Sequence, residues 1–156
     1  MKILIREIVP NDYSQTIKVI KRSNTESLGK IYPQKLIDEF CKKYDLENFK
    51  KKVQEVKYFI AEDADKKNIL GIIGLKHNEL RTFFVDTNHQ GKGVGRKLFD
   101  RFIEEVKKKG LKEIILEGSP LGEPIYKHFG FKKIKTIKKN RVGVDYSDAY
   151  MKKGLI

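Results

Sequence analysis

The segment His89–Phe99, HQGKGVGRKLF, constrains this chain more tightly than any other stretch. Three glycines alternate at Gly91, Gly93 and Gly95. Directly behind them Val94, Leu98, Phe99, Phe102, Ile103 and Val106 recur every three or four residues, the pattern of a helix with one buried face. Glycine costs a helix about 1 kcal/mol relative to alanine, so a good helix begins here on poor helix formers. Ahead of it NELRTFFVD reads as a strand, and Gly110 stops the helix as a left-handed cap. A strand, a glycine loop and a helix start bring unpaired amides together, where the helix end favours an anion. Gln90, Gly91, Gly93 and Gly95 supply those amides without a Cβ in the way at the glycines, and Lys92, Arg96 and Lys97 add positive charge. A diphosphate suits such a nest. The bare triplet is as consistent with tight packing at a helix entry, so the decision falls to the rest of the chain.

After Gly110, KEIILEG predicts a strand that a right-handed crossover sets parallel to NELRTFFVD. Upstream, Ile3–Ile8 is β-branched, and Asp12 is placed to cap a helix whose face carries Ile17, Val19 and Ile20. SNTESLGK reads as a polar break. Pro33 then opens a second helix bearing Leu36, Ile37, Phe40 and Cys41, and Asp45 caps a third bearing Leu46, Phe49 and Val53. KYFIAED and ILGIIGLKH form a hairpin, the second strand apolar enough to be buried on both faces. GEPIYKHFG predicts a short helix, and FKKIKTI and DAYMKKGL a closing strand pair. The expectation is an α/β fold with a mixed sheet, in one domain spanning residues 1–156.

Lysine and arginine outnumber aspartate and glutamate by 34 to 21, giving a net charge of +13. Because the basic residues are dispersed, they read as solvated surface, and no nucleic-acid partner is expected. Cys41 is the only cysteine, which excludes a disulfide framework and points to a cytoplasmic protein. The N-terminal apolar run is too short for a leader or a membrane span, so no membrane partner is expected. His77, His89 and His128 share no ligand-like spacing, and no metal site is expected.

Two familiar phosphate motifs fail. A Walker loop needs Gly-Lys-Ser/Thr, but Arg96 and Lys97 follow Gly95. A dinucleotide fingerprint needs Gly-x-Gly-x-x-Gly near the first strand, and these glycines alternate in mid-chain.

The stretch instead resembles the acetyl-CoA-binding signature of the GNAT superfamily of N-acyltransferases, Gln/Arg-x-x-Gly-x-Gly/Ala, at Gln90, Gly93 and Gly95. Downstream, IYKHFGF is similar to that family's aromatic-Tyr-x-x-x-Gly-Phe element. The resemblance extends over nearly the whole chain. It implies a mixed, mostly antiparallel sheet of six or seven strands, helices on both faces, and a splayed central parallel pair. It also implies that acetyl-CoA is the co-substrate, its pyrophosphate on the amides from Gln90 to Arg96. Pantetheine would lie along the strand ending in Val85, with the N–H groups of Phe83 and Val85 meeting it and the thioester carbonyl. Tyr126 matches the family tyrosine that protonates the departing thiolate, with coenzyme packing as its other reading. Glu79 stands where some members carry a general base acting through water, and it reads equally as a surface glutamate. Where the family often carries Asn-x-x-Ala, this chain has Ser119 and Gly122, and Ser119 retains a hydroxyl for the coenzyme. The activity implied is direct acetyl transfer to a small-molecule or protein amine. A non-catalytic coenzyme A sensor and a basic nucleic-acid binder are the competing readings. A homodimer through exposed C-terminal strands is a further expectation.

Overall fold

The computed structural model describes residues 1–155. Seven strands form one sheet: β1 (Ile3–Glu7), β2 (Lys57–Asp63), β3 (Ile69–Lys76), β4 (Glu79–Val85), β5 (Glu113–Gly118), β6 (Lys132–Arg141) and β7 (Val144–Gly154). Their order is β1-β2-β3-β4-β5-β7-β6, and every neighbouring pair is antiparallel except β4 and β5. This is the mixed α/β sheet expected, with seven strands. The helices are α1 (Tyr13–Ser27), α2 (Gln34–Lys42), α3 (Leu46–Glu55), α4 (Val94–Lys108) and α5 (Glu123–His128).

Two cores lie on opposite faces of the sheet. Val94, Leu98, Phe99, Phe102 and Val106 of α4 bury against Phe59, Leu70, Ile73, Leu80, Ile114 and Leu116. On the other face Ile17, Val19 and Ile20 of α1 and Phe49 of α3 pack on Tyr58, Ile60, Ile69 and Ile72. β3 is buried from Ile69 to Leu75, on both faces, as its continuous apolar run requires. Each fully buried side chain of this size contributes about 1.5–3 kcal/mol, so the two layers fix where β4 and α4 stand.

Several local expectations are corrected. SNTES is no break: α1 runs on through Ser27. Ser23 and Asn24 are buried, and Ser23 Oγ donates to the Val85 carbonyl at 3.2 Å, so these polar residues form an inward helix face. Asp12 does not cap α1 with its side chain; Arg6 grips its carboxylate at 2.8 and 2.9 Å, and the Val9 amide donates to it at 2.8 Å. Pro33 sits one place before α2, as its N-cap, whereas Asp45 caps α3 as expected, accepting from the Asn48 amide at 2.8 Å. The closing strands are longer than their apolar cores, because Val142 and Gly143, both at positive φ, form a tight turn at Arg141–Val144. Among the described residues, no helix is long and apolar enough to cross a membrane, and no group of three or more His, Cys, Asp or Glu could hold a metal ion.

Candidate active site

β4 and β5 pair only at Glu79 with Ile115, after which the parallel strands part. A cleft of about 580 Å³ fills the opening. The backbone of β4 determines what faces it. Asp86 donates its amide to the Leu70 carbonyl of β3 at 2.8 Å. Strand alternation therefore turns the amides of Thr82 and Phe84 toward β3 and those of Phe83 and Val85 into the gap. On the same side the Val85 carbonyl accepts from Ser23 Oγ at 3.2 Å and Gln90 Nε2 at 3.3 Å. Phe83, Val85, Gln90, Gly91, Gly95, Ser119 and Tyr126, all named from sequence, line this one cleft.

At its upper end lies the glycine loop. Gly91 and Gly93 adopt φ of +79° and +83°, a left-handed backbone that side chains disfavour. Gly93 is the N-cap of α4. Among the described residues, none of the backbone amides from Gln90 to Arg96 donates to a protein group; the first amide of α4 to do so is that of Lys97, to Gly93. Buried Val94 anchors the helix, while Lys92 and Arg96 are exposed. The loop is thus an amide concavity with cations at its rim, a geometry able to accept an anion without displacing internal hydrogen bonds.

Tyr126 crosses from the α5 side. Its ring lies on two glycines: a Cβ at Gly118 would come within 3.1 Å of it, and one at Gly122 within 3.0 Å. Gly122 in place of the usual alanine is therefore space for this ring. Ser119 Oγ accepts from the Gly122 amide at 3.2 Å, and the Ser119 carbonyl accepts from Gly122 and Glu123 at 3.0 Å, so Ser119 shapes the turn into α5 as well as lining the cleft. The Phe83 and Phe131 rings pack against Tyr126 at 6.3 and 5.8 Å. Gly130, at φ +94°, ends α5 and returns the chain to Phe131 in the core. Burial holds the Tyr126 phenol well above its ordinary value of 10, with a further push from Tyr44, so it stays protonated across the neutral range.

Glu79 is placed differently. It occupies the closed end of the opening, at the one β4–β5 pair, with its carboxylate 3.7 Å from Arg81, and it does not line the cleft. Sequence reasoning missed the opposite wall, formed by Ser23, Ser27, Lys30, Tyr44, Arg81, Thr82 and Glu117. Tyr44 and Thr82 hydroxyls lie 3.3 Å apart. None of these residues belongs to a contiguous motif. The one local signal was the run of small polar residues at Ser23–Ser27, which is too polar for a core-facing helix and too regular for a loop. Above this wall Tyr32 and Phe40 meet Tyr146 of β7 edge to face, which ties the α1–α2 segment to the final hairpin.

The family described as acetyltransferase (GNAT) domain matches residues 20–153. Among solved structures, a GCN5-related N-acetyltransferase from Rhodopseudomonas palustris superposes with a TM-score of 0.90 at 16% identity, over 99% of this chain and 97% of that one. PaiA N-acetyltransferase from Thermoplasma acidophilum, solved in complex with coenzyme A, gives 0.84 at 23% identity over 99% and 100%. Ribosomal-protein-alanine N-acetyltransferase from Brucella melitensis gives 0.70 at 18% identity over 97% and 99%. These identities speak to the fold alone, while the family match covers most of the chain and both motifs. The chain belongs to the GNAT family of acetyltransferases.

Proposed function

We propose that this N-acetyltransferase binds acetyl-CoA along β4 and moves the acetyl group to a primary amine by direct attack in a ternary complex. The observation that carries the reading is the unpaired amide series from Gln90 to Arg96, continued by the inward amides of Phe83 and Val85. The residues fit the coenzyme. Gly91 and Gly93 leave open space where a Cβ would stand, and Lys92, Arg96 and Lys97 offset diphosphate charge.

Acetyl-CoA supplies an activated thioester. The chain supplies the rest. A donor in the gap, from Phe83 or Val85, stabilises oxyanion charge more in the tetrahedral state than in the ground state. Tyr126 holds a proton for the departing sulfur, and its burial keeps that proton in place until a strong base forms beside it. Glu79, from the closed end of the gap, would accept the amine proton only through intervening water.

Tyr126→Phe tests the acid. Turnover should fall about 10²- to 10⁴-fold, the usual contribution of a positioned acid, while coenzyme A affinity by isothermal titration stays within a few-fold. Unchanged turnover across the whole pH range would remove Tyr126 from this role. Coenzyme binding without thiol release from any amine would favour a sensor.

A further inference from the structure

The glycine loop and Tyr126 account for the α4 side of the cleft and leave the other side without an assigned task. Two opposite charges face each other there. Counting two residues along each strand from the single pair Glu79–Ile115 reaches Arg81 on β4 and Glu117 on β5, where the strands have begun to part. Both line the cleft. Arg81 has no partner on β3, because Gly74 pairs with Thr82 and Leu75 with Leu80; it is the extra residue of a bulge, a device that re-aims a side chain. Thr82, beside it in the bulge, meets the Tyr44 hydroxyl at 3.3 Å on the α3 face, and both Arg81 and Thr82 line the cleft. Ile114 and Leu116 point into the α4 core, so alternation turns Glu117 to that same α3 face.

Among the described residues Arg81 and Glu117 form no ion pair with each other. Each is tethered from behind. Arg81 lies 3.7 Å from Glu79, and Glu117 lies 3.2 Å from Lys139, which also sits 3.0 Å from Asp148. Lys139 is shared by two carboxylates and holds Glu117 through Oε2 alone, and the long Arg81–Glu79 contact leaves the guanidinium fork largely free. Their side chains are 42% and 41% exposed, and Glu117 is the only acidic residue among the described lining. Fixed charges held apart across a groove match a ligand carrying the reverse dipole.

Resting on the transferase reading above, we propose that the acceptor is of the amino-acid type, a primary amine beside a carboxylate. Arg81 takes the carboxylate through its planar fork, and Glu117 takes the ammonium. One ammonium proton passes to Glu117 and on to solvent. The freed nitrogen lone pair adds to the thioester carbon; as the C–S bond breaks Tyr126 protonates the sulfur, and the second N–H proton, leaving through water, restores the Tyr126 phenol. A protein lysine or a polyamine brings no carboxylate and leaves Arg81 with its long contact to Glu79 alone.

The test compares each common amino acid with its carboxamide and with the matching decarboxylated amine. Thiol release from acetyl-CoA and titration of each amine into the coenzyme A complex are both measured. At least one amino acid should exceed its amide and its amine by roughly 10- to 100-fold in kcat/KM and in affinity, the range of a charge-assisted hydrogen bond. Arg81→Gln should remove that preference while leaving the amide's weak binding as it was. Glu117→Gln should weaken amino acid and amide alike and leave coenzyme A binding unchanged. Thiol release that ignores the carboxylate, or a preference that survives Arg81→Gln, overturns this inference and leaves the transferase intact. Thiol release from no amine at all overturns both.

Discussion

Gly93 and Gly95 are two residues apart in one motif, yet the backbone gives them different tasks, and alanine at each should separate those tasks. Gly93 has φ +83° and caps α4, with nothing within 4 Å of the place a Cβ would occupy. Alanine there meets no clash; its cost is the left-handed backbone itself, about 1–2 kcal/mol. At about 2–4 °C per kcal/mol for a chain of this size, Gly93→Ala should lower the melting temperature by about 2–8 °C. Gly95 is in ordinary helical backbone, and a Cβ would touch Val85 Cγ2 at 3.6 Å and Phe83 Cζ at 3.7 Å, normal packing distances. Gly95→Ala should therefore hold or raise the melting temperature, since alanine gains up to about 1 kcal/mol over glycine in a helix. Repeating the melts with excess coenzyme A reads the second task. Gly93→Ala also tilts the amides of the loop, and each tenfold loss of affinity removes about 1.4 kcal/mol of ligand stabilisation, or roughly 3–6 °C. If Gly95→Ala destabilises the free protein as much as Gly93→Ala, the backbone account of this motif is wrong.

Gly118→Ala would push a Cβ to 3.1 Å from the Tyr126 ring; displacing the phenol should lower turnover about tenfold or more and leave coenzyme A affinity nearly unchanged, by steady-state kinetics and titration, and unaltered turnover would show the ring position to be irrelevant. Burial lowers the Lys43 ammonium from 10.5 to about 8, with Arg141, Lys52 and Lys139 adding to the fall. A depressed lysine destabilises the fold while charged in both states, so the penalty is full below about pH 8 and fades as pH rises toward 10.5. Partial contact with solvent reduces the expected effect, so Lys43→Met should stabilise by about 1 kcal/mol at pH 7 and by nearly nothing at pH 10.5 in denaturant melts. A gain of equal size at both pH values would assign it to packing instead.

The legible parts of the sequence were those where one local rule decides the outcome. The α4 face, the β3 run and the Asp45 cap each follow from periodicity or a single hydrogen bond, and each was found where expected. The glycine loop was legible for the same reason, since its conformation is carried by φ at Gly91 and Gly93. What was not legible depends on distant neighbours. SNTES reads as a loop until Val85 supplies a carbonyl for Ser23, 62 residues away. Asp12 reads as a cap until Arg6 and the Val9 amide claim its carboxylate. Glu79 has the right spacing from Gln90, but spacing along a strand does not say where that strand stops pairing with the next.

The parting of β4 and β5 leaves strand amides without ladder partners in the middle of a sheet, which would cost about 1–3 kcal/mol for each one left buried and unpaired. The fold tolerates this because α4 and α1 clamp β4 from opposite faces, through Val85 and Phe83 on one side and Phe84 on the other, while β5 is held independently by six register pairs with β7. Neither strand needs the other. The unpaired amides are therefore available to a ligand, which can pair them where the sheet does not. On that argument the coenzyme A contribution to stability should come disproportionately from the gap. Pantetheine, which lacks the diphosphate that the glycine loop would hold, should still raise the melting temperature, whereas adenosine 3′,5′-bisphosphate, which cannot reach Phe83, should raise it less at equal concentration.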